Sequence, residues 1–218
     1  MRTYFEGRSR LKILRLILFA PLLAALVFAV GVDSKPRDKE RWDNKYNEEF
    51  YIYGKEPVPF LRANVDLLPK GKALDIAMGE GRNGVFLATQ GFDVLGIDIS
   101  EVGLAKAHRL ADENGVEIQT AIVDLENYDM QKNSYDVVLC MYFLQRDLFP
   151  QIKDSLKSGG MAVIQTYNTD YRKYANFNKK YLLDVNELLE IFKGYKIIRY
   201  EMYDDGEEAY SSIIAQKP

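Results

Sequence analysis

The sequence predicts an α/β protein with a doubly wound sheet of seven strands, parallel except for an antiparallel hairpin at the C-terminal end. Three observations predict this fold class. From residue 72 onward, short apolar runs alternate with helical segments, a glycine-rich turn follows the first run, and the last two β-rich runs have no helix between them. The chain has 218 residues, 47% of them hydrophobic, and no internal repeat, which fits one buried core.

The first two strand–helix units follow directly from the apolar pattern. "KALDIA" from residue 72 predicts a buried strand, and residues 82–89 predict a helix that is closed by Gly91. "FDVLGIDI" predicts the second strand, after which Ser100 caps a helix that ends near Gly115. Ligands of such sheets bind at the carboxyl ends of the parallel strands, so we expect a site there.

The same order continues through three further strands and then changes. "EIQTAIV" and "YDVVLCMYF" predict the third and fourth strands, and a helix over residues 147–156 is stopped by Gly159 and Gly160 before the fifth strand, "MAVIQTY". After a helix over residues 184–192, "YKIIRYEMY" and "AYSSIIAQK" flank the turn "DDGEE". These two runs predict the antiparallel hairpin.

The N-terminal region differs in composition from the rest of the chain. Residues 16–32 carry no charge, and about 17 such residues lie at the lower limit for a membrane-spanning helix. We therefore predict a membrane anchor or signal segment over residues 1–32, a linker and N-terminal lid over residues 33–56, and the main domain over residues 57–218. A signal peptide cleaved near Ala29-Val30-Gly31 and a misassigned start codon are the alternatives.

Charge and residue counts exclude several classes of function. A net charge of −3 and a pI near 5.4 argue against nucleic acid as a partner, because binding phosphates requires a positive field. The single Cys140 rules out a disulfide framework. The single His108 and the lack of a Cys/His cluster predict that there is no protein-bound metal. A small-molecule ligand is the expectation that remains, and the oligomeric state is not determined by these patterns.

The glycine-rich turn "LDIAMGEGRNG" is the first motif with chemical content. Gly79, Gly81 and Gly84 have the G-x-G-x-x-G spacing, but the same turn can bind any nucleotide-like cofactor. Asp75 at the end of the first strand would repel a pyrophosphate. The motif alone therefore leaves the cofactor open and disfavours a dinucleotide.

The arrangement of these motifs resembles the class I S-adenosylmethionine-dependent methyltransferases, which have a Rossmann-like fold. More narrowly, "RWDNKY", "YIYGKEPVPFL", "LDIAMGEGRNGVFLA", "DVLGIDIS" and "FLQRDLFPQIKDSLKSGG" are similar to the tellurite-resistance methyltransferase family. Two positions depart from the pattern: Met78 stands where that family often has cysteine, and Ala77 where the broader class often has glycine. The resemblance implies S-adenosylmethionine as cofactor and methyl transfer to a small molecule.

The resemblance also implies which residues contact the cofactor. Asp75 is expected near its ammonium group, with Ala77, Gly79 and Gly81 along the methionyl moiety. Asp98, followed by Ile99, can accept hydrogen bonds from both ribose hydroxyls, although an acid before Ser100 could also serve only the helix N-terminus. The remaining predicted contacts are Asp124 and Leu125 with adenine, Met141 and Tyr142 beside adenosine and the methyl group, and Tyr46 and Tyr53, with Trp42, in a lid. Ordinary packing is the alternative for Met141, Tyr142 and the lid residues.

The implied reaction is displacement at the methyl carbon of a sulfonium, which is already activated. The protein then mainly positions the acceptor and excludes water. Because no histidine or carboxylate pair is evident near the site, we expect a soft nucleophile such as a thiolate or a reduced chalcogen species. Arg82, Arg146 and Tyr142 are the predicted catalytic residues, with the two arginines attracting an anionic acceptor or, alternatively, acting structurally. The segment "NTDYRKYANFNKKY" is a candidate substrate cover or a solvated loop.

Two other classes of function stay open. A nicotinamide-dependent oxidoreductase is disfavoured because no Tyr-x-x-x-Lys pair follows the fourth strand. A non-catalytic, membrane-tethered binding module is disfavoured by the intact set of Asp75, Gly79, Gly81 and Asp98. Five basic residues lie on each side of the apolar run, so charge does not orient it. Because S-adenosylmethionine is cytosolic, we expect an anchored protein with its catalytic domain on the cytoplasmic face, or a cytoplasmic protein if the start codon is misassigned.

Overall fold

The computed structural model describes residues 35–218, so the predicted anchor or signal segment lies outside the described residues. Among residues 35–218, no helix combines the length and apolar character needed to cross a membrane. The helices are α1 Lys35–Tyr46, α2 Pro59–Asn64, α3 Arg82–Thr89, α4 Glu101–Glu113, α5 Leu148–Ser155 and α6 Glu187–Ile191. The strands are β1 Lys72–Ile76, β2 Asp93–Asp98, β3 Gln119–Ile122, β4 Tyr135–Met141, β5 Leu156–Tyr167, β6 Lys196–Asp204 and β7 Ala209–Gln216.

The seven strands form one sheet in the order β3-β2-β1-β4-β5-β7-β6. β1 to β5 are parallel to one another, and β7 runs antiparallel to both β5 and β6. The predicted fold class is therefore confirmed. The strand order reverses between β1 and β4, and in sheets of this type the crevice at that reversal is where ligands bind.

Two apolar layers cover the two faces of the sheet. Successive residues of β4 alternate between them. Val137 and Leu139 pack in one buried cluster, which we call the first apolar cluster, and Val138 and Cys140 pack in the other, the second apolar cluster. Because helices cover both faces, the central strands are buried on both sides and their sequences read as nearly continuous apolar runs. This burial holds the carboxyl ends of β1 and β4 at a fixed place beside the helices.

Three predicted boundaries were wrong. Helix α1 begins at Lys35, where we expected a linker, because Pro36 is compatible with the first turn of a helix. β5 already begins at Leu156, so Gly159 and Gly160 lie inside a strand, next to an irregular register with β4. Helix α6 starts only at Glu187, because Asn186 before it has a left-handed backbone with φ of 60°.

Candidate cofactor and active site

The carboxyl end of β1 places a buried acid beside the glycine turn. Asp75 is only 2% exposed, and its Oδ2 has no hydrogen-bond partner among residues 35–218. Burial raises the pKa of Asp75 to about 7, although the Gly84 N–H favours the charged form. A buried carboxylate oxygen without a partner is uncommon and calls for a ligand or a proton. The predicted cofactor ammonium fits this requirement.

The turn after β1 has a backbone that brings it close to two neighbouring elements. Gly79 and Gly81 have φ of 56° and 89°, which favours glycine. A Cβ on Gly79 would lie 2.6 Å from the Tyr46 hydroxyl, and one on Gly81 would lie 2.6 Å from the Cβ of Ala107 in α4. Ala77 also has a positive φ, 53°, at the position where the broader class often has glycine. The path of the turn thus depends both on its positive φ angles and on the close packing of Tyr46 and Ala107 against it.

Met78 extends from this turn into the first apolar cluster. Its side chain fills the space that two glycines leave: a Cβ on Gly96 would lie 1.8 Å from the Met78 Sδ, and one on Gly84 would lie 2.7 Å from its Cε. The larger residue at the position often held by cysteine is therefore accommodated in the core.

Asp98 connects the end of β2 to the turn. Its Oδ2 accepts from the Gly79 N–H at 2.8 Å, and its Oδ1 accepts from the Ser100 N–H at 2.8 Å. Burial raises the pKa of Asp98, while the backbone N–H groups of Ser100, Gly79 and Ile99 oppose that rise. The carboxylate therefore serves the helix N-terminus, as the alternative reading proposed. Each oxygen has a second lone pair, so the predicted bonds to the ribose hydroxyls are compatible with this geometry.

The predicted lid residues lie against the turn. Tyr46 is 5% exposed, stacks on Trp42 with a ring-centroid distance of 5.5 Å, and meets the Tyr53 ring edge-on at 6.5 Å. Asp43 of the same helix accepts from the Ser100 Oγ at 2.7 Å and so fixes α1 to the start of α4. We call residues 42–53 the N-terminal cover. Burial raises the pKa of Tyr46, which keeps its hydroxyl neutral.

A buried ion pair beneath this cover escaped the sequence analysis. Glu80 of the turn and Lys106 of α4 form it at 2.7 Å, with side chains only 3% and 2% exposed. The Lys106 Nζ also donates to the Phe50 carbonyl at 2.6 Å, and the Tyr53 N–H donates to Glu80 at 3.3 Å. The pair therefore joins the glycine turn, α4 and the N-terminal cover. The "GEG" and "KAH" sequences offered no local signal for this contact, because 26 residues separate the partners.

Arg82 and Tyr142 meet at the mouth of the site. Arg82 donates to the Tyr53 carbonyl at 2.8 Å, and its guanidinium carbon lies 5.7 Å from the centre of the Tyr142 ring. Tyr142, directly after β4, has φ of 56°, an unfavourable backbone for a non-glycine residue that is typical of functional positions. Its hydroxyl accepts from Gln165 Nε2 at 2.8 Å, and Gln165 Oε1 accepts from Ser212 at 3.0 Å.

Tyr142 belongs to an aromatic group that sequence reasoning did not identify. Its ring lies 5.1 Å from Tyr167 and 6.4 Å from Tyr210. Tyr171 stacks on Tyr167 at 4.1 Å with an interplanar angle of 14°. We call this group the tyrosine cluster; it comprises Tyr142, Tyr167, Tyr171, Phe177, Tyr203 and Tyr210. The hydroxyl of Tyr167 donates to Glu208 at 3.0 Å.

Arg146 is placed differently from Arg82. It forms a two-bond pair with Glu187 at 2.7 and 2.8 Å and donates to the carbonyls of Lys180 and Leu182, both at 2.9 Å. These contacts favour the structural alternative for Arg146. Within the predicted substrate cover, Lys173 pairs with Asp170 and Asp204, and Lys179 pairs with Asp184.

The predicted adenine-side residues lie at the ends of β3 and β4. Asp124 follows β3 and accepts from the Glu126 N–H at 3.1 Å and from Asn127 at 3.0 Å, with the half-buried Leu125 beside it. Met141 is 7% exposed and packs in the first apolar cluster, as its alternative reading proposed. Cys140 is buried, which raises the pKa of its thiol to about 12. Within residues 35–218, no group of three or more metal-ligating side chains occurs.

Comparison with known proteins identifies the family of this chain. A family model described as "Tellurite resistance protein TehB" matches residues 37–208. A probable S-adenosyl-L-methionine-dependent methyltransferase TehB of Haemophilus influenzae is 27% identical over 136 residues, which cover 59% of this chain and 47% of that protein. A ubiquinone biosynthesis O-methyltransferase of Rickettsia conorii is 32% identical over 112 residues, covering 49% of this chain and 38% of that protein.

The fold itself has a solved counterpart. The crystal structure of TehB from Haemophilus influenzae superposes with a TM-score of 0.63 at 21% identity, over 83% of this chain and 67% of that chain. This likeness supports the same sheet architecture. The alignments to the two curated relatives span less than half of each relative's length.

Proposed function

Since the chain belongs to the TehB family of tellurite-resistance proteins, we propose that it transfers the methyl group of S-adenosylmethionine to a small-molecule acceptor. The observation that carries this proposal is the buried Asp75 carboxylate directly before the glycine turn, whose Oδ2 has no hydrogen-bond partner among residues 35–218. A dinucleotide phosphate would be repelled there, whereas an ammonium group supplies the missing donor. The negative charge of Asp75 is thus complementary to the positive charge of the cofactor ammonium.

We propose that the other parts of the cofactor follow the edge of the sheet. The turn from Ala77 to Gly81 would border the methionyl chain, and Asp98 with Ile99 would lie at the ribose. Asp124 and Leu125 would lie at the adenine. These positions lie at the ends of β1, β2 and β3, which are neighbours in the sheet.

Methyl transfer needs little acid–base chemistry from the protein when the nucleophile is already ionised. The sulfonium supplies an activated methyl carbon. Tyr46, Tyr53 and Tyr142 exclude water around it, and the Arg82 guanidinium offers positive charge to an acceptor that carries or develops negative charge. The predicted soft nucleophile, a thiolate or reduced chalcogen species, is one such acceptor.

Calorimetric titration of the full chain with S-adenosylmethionine and with NAD tests the cofactor assignment. We expect saturable binding of S-adenosylmethionine alone, weakened about tenfold or more in the Asp98→Ala variant because a charged acceptor is lost. The exposed Asp66→Asn variant serves as a control for the loss of one negative charge. Equal affinity for NAD, or unchanged affinity in a folded Asp98→Ala protein, would contradict the assignment. Transfer of labelled methyl groups from the cofactor then separates an enzyme from a binding module.

We also propose a location for the protein. The cofactor is cytosolic, which supports a catalytic domain on the cytoplasmic face. Attachment to the membrane through residues 16–32 stays a prediction, because these residues lie outside the described part of the chain.

A further inference from the structure

The tyrosine cluster lies where an acceptor must approach the cofactor. Tyr142 follows β4 and Tyr167 ends β5 at the carboxyl edge of the sheet. Tyr210 lies at the start of the antiparallel β7, directly opposite Tyr167 in the register, so it reaches the same edge. Arg82, one residue after the glycine turn, lies over the Tyr142 ring. The cluster is therefore next to the proposed cofactor site.

Several cationic side chains near the cluster already have partners. Arg146 is committed to Glu187 and two backbone carbonyls, and Lys173 and Lys179 are paired with aspartates. The faces of tyrosine rings are negative, and the Glu208 carboxylate borders Tyr167, so negative charge is disfavoured among the rings and is better placed beside Arg82. A cationic acceptor would in turn be repelled by the Arg82 guanidinium. A neutral, planar ring avoids both conflicts.

Two rings of the cluster are already stacked on each other. Tyr171 from the segment after β5 stacks on Tyr167 almost in parallel, with centroids 4.1 Å apart. An entering ring that displaces Tyr171 would exchange one stacked pair for another. Stacking is a favourable arrangement of aromatic rings when the rings are offset.

From these observations, and resting on the proposed methyl transfer, we infer that the acceptor is a hydroxylated aromatic ring. Its ring packs in the tyrosine cluster and its hydroxyl oxygen points toward Arg82. A guanidinium has five N–H donors, so its bond to the Tyr53 carbonyl leaves capacity for a phenolate oxygen.

Methyl transfer to the hydroxyl oxygen needs no further reactant. The phenol releases its proton to water, and the guanidinium stabilises the phenolate. A phenolate electron pair forms the new O–C bond to the methyl carbon. The C–S bond breaks, its electron pair goes to sulfur, and the cofactor leaves as the neutral thioether.

The test compares catechol, 2-mercaptoethanol and sodium hydrogen selenide as acceptors for labelled methyl groups. We expect transfer to catechol, with the Tyr210→Ala variant raising the catechol KM about tenfold and leaving the cofactor KM unchanged. Tyr210→Phe should retain the native catechol KM, because it keeps the ring. Tyr200→Ala is the matched control, since that half-buried tyrosine of β6 packs with the second apolar cluster.

A second readout concerns the role of Arg82. For catechol, the rise of kcat/KM with pH should move upward by about one unit in Arg82→Gln, because the phenolate loses its counter-charge. Transfer only to the thiol or the selenide, or equal increases of both KM values in Tyr210→Ala, would overturn the aromatic assignment while methyl transfer stands. Saturable cofactor binding with no catechol product and no saturation-transfer signal from catechol would do the same. Failure to bind S-adenosylmethionine at all would instead refute the proposed function.

Discussion

At the scale of single residues, the buried negative charge of Asp75 lowers the stability of the cofactor-free protein. A bound cationic group would offset this effect. Burial raises its pKa to about 7 from an ordinary value of 3.8. The folded chain therefore binds this proton more tightly than the unfolded chain does. The stability that the protonated acid contributes is full below pH 3.8 and is lost as the pH rises through about 7.

The Asp75→Asn substitution should separate stability from binding. Because asparagine does not ionise, the cofactor-free variant should melt at a higher temperature than the native chain at pH 8, and the difference should shrink toward pH 5. Its affinity for S-adenosylmethionine should fall about tenfold or more, since the ammonium loses a charged partner. Thermal unfolding at several pH values and calorimetric titration measure the two effects. A pH-independent difference in melting temperature would show that Asp75 is not the titrating group.

At the scale of secondary-structure elements, the Glu80–Lys106 pair connects the glycine turn to α4 and the N-terminal cover. Lys106→Met leaves the Glu80 charge buried without its cation, and breaking such a pair costs about 3–5 kcal/mol. The exposed Lys55–Glu113 pair provides the control, because Lys55→Met should leave the free energy of unfolding nearly unchanged. Urea denaturation measures both.

Adding Glu80→Gln to Lys106→Met should recover part of that loss, because no charge is then left buried alone. Cofactor affinity should stay reduced in the double variant, since the Phe50 carbonyl still lacks its lysine donor and the cover is less well fixed. A double variant no more stable than Lys106→Met would contradict this electrostatic explanation.

Arg146 also connects secondary-structure elements, because it bonds to α6 and to the segment before that helix. Arg146→Met removes the bonds to Glu187 and to two carbonyls, so we expect a loss of about 1–3 kcal/mol in the free energy of unfolding. The KM values for cofactor and acceptor should change in parallel. Arg62→Met, at an exposed pair with Glu56, is the control. A selective rise in the acceptor KM would instead restore the predicted catalytic role.

At the scale of the whole molecule, the alternation of apolar runs and helices was sufficient to predict the sheet and its terminal hairpin. The pattern also indicated the ends of β1 and β2, where Asp75 and Asp98 lie. Contacts between distant parts of the chain were not predictable in this way. Helix α1 is fixed by Asp43 to Ser100, 57 residues away, and its charged sequence resembles a linker when read alone. The tyrosine cluster joins residues 142 and 210, which only the sheet order brings together.

The location of the protein is also a property of the whole chain. We expect a reporter that is active only outside the cytoplasm to stay inactive when it is fused after Pro218, because the proposed cofactor is cytosolic. A cytoplasmic reporter at the same position is the control for expression. Strong activity of the exported reporter, or a mature protein that begins near Val32 outside the cytosol, would contradict the cytoplasmic placement and weaken the proposed function.

The packing of Met78 against Gly96 has an evolutionary consequence. A β-carbon at position 96 would overlap the Met78 sulfur, so Gly96→Ala should be strongly destabilising in this chain and much milder once Met78 is replaced by cysteine. The effect of either substitution thus depends on the other, which is epistasis between neighbouring core positions. Methionine at position 78 is therefore easier to accommodate while position 96 is glycine, and its presence raises the cost of a later change at position 96.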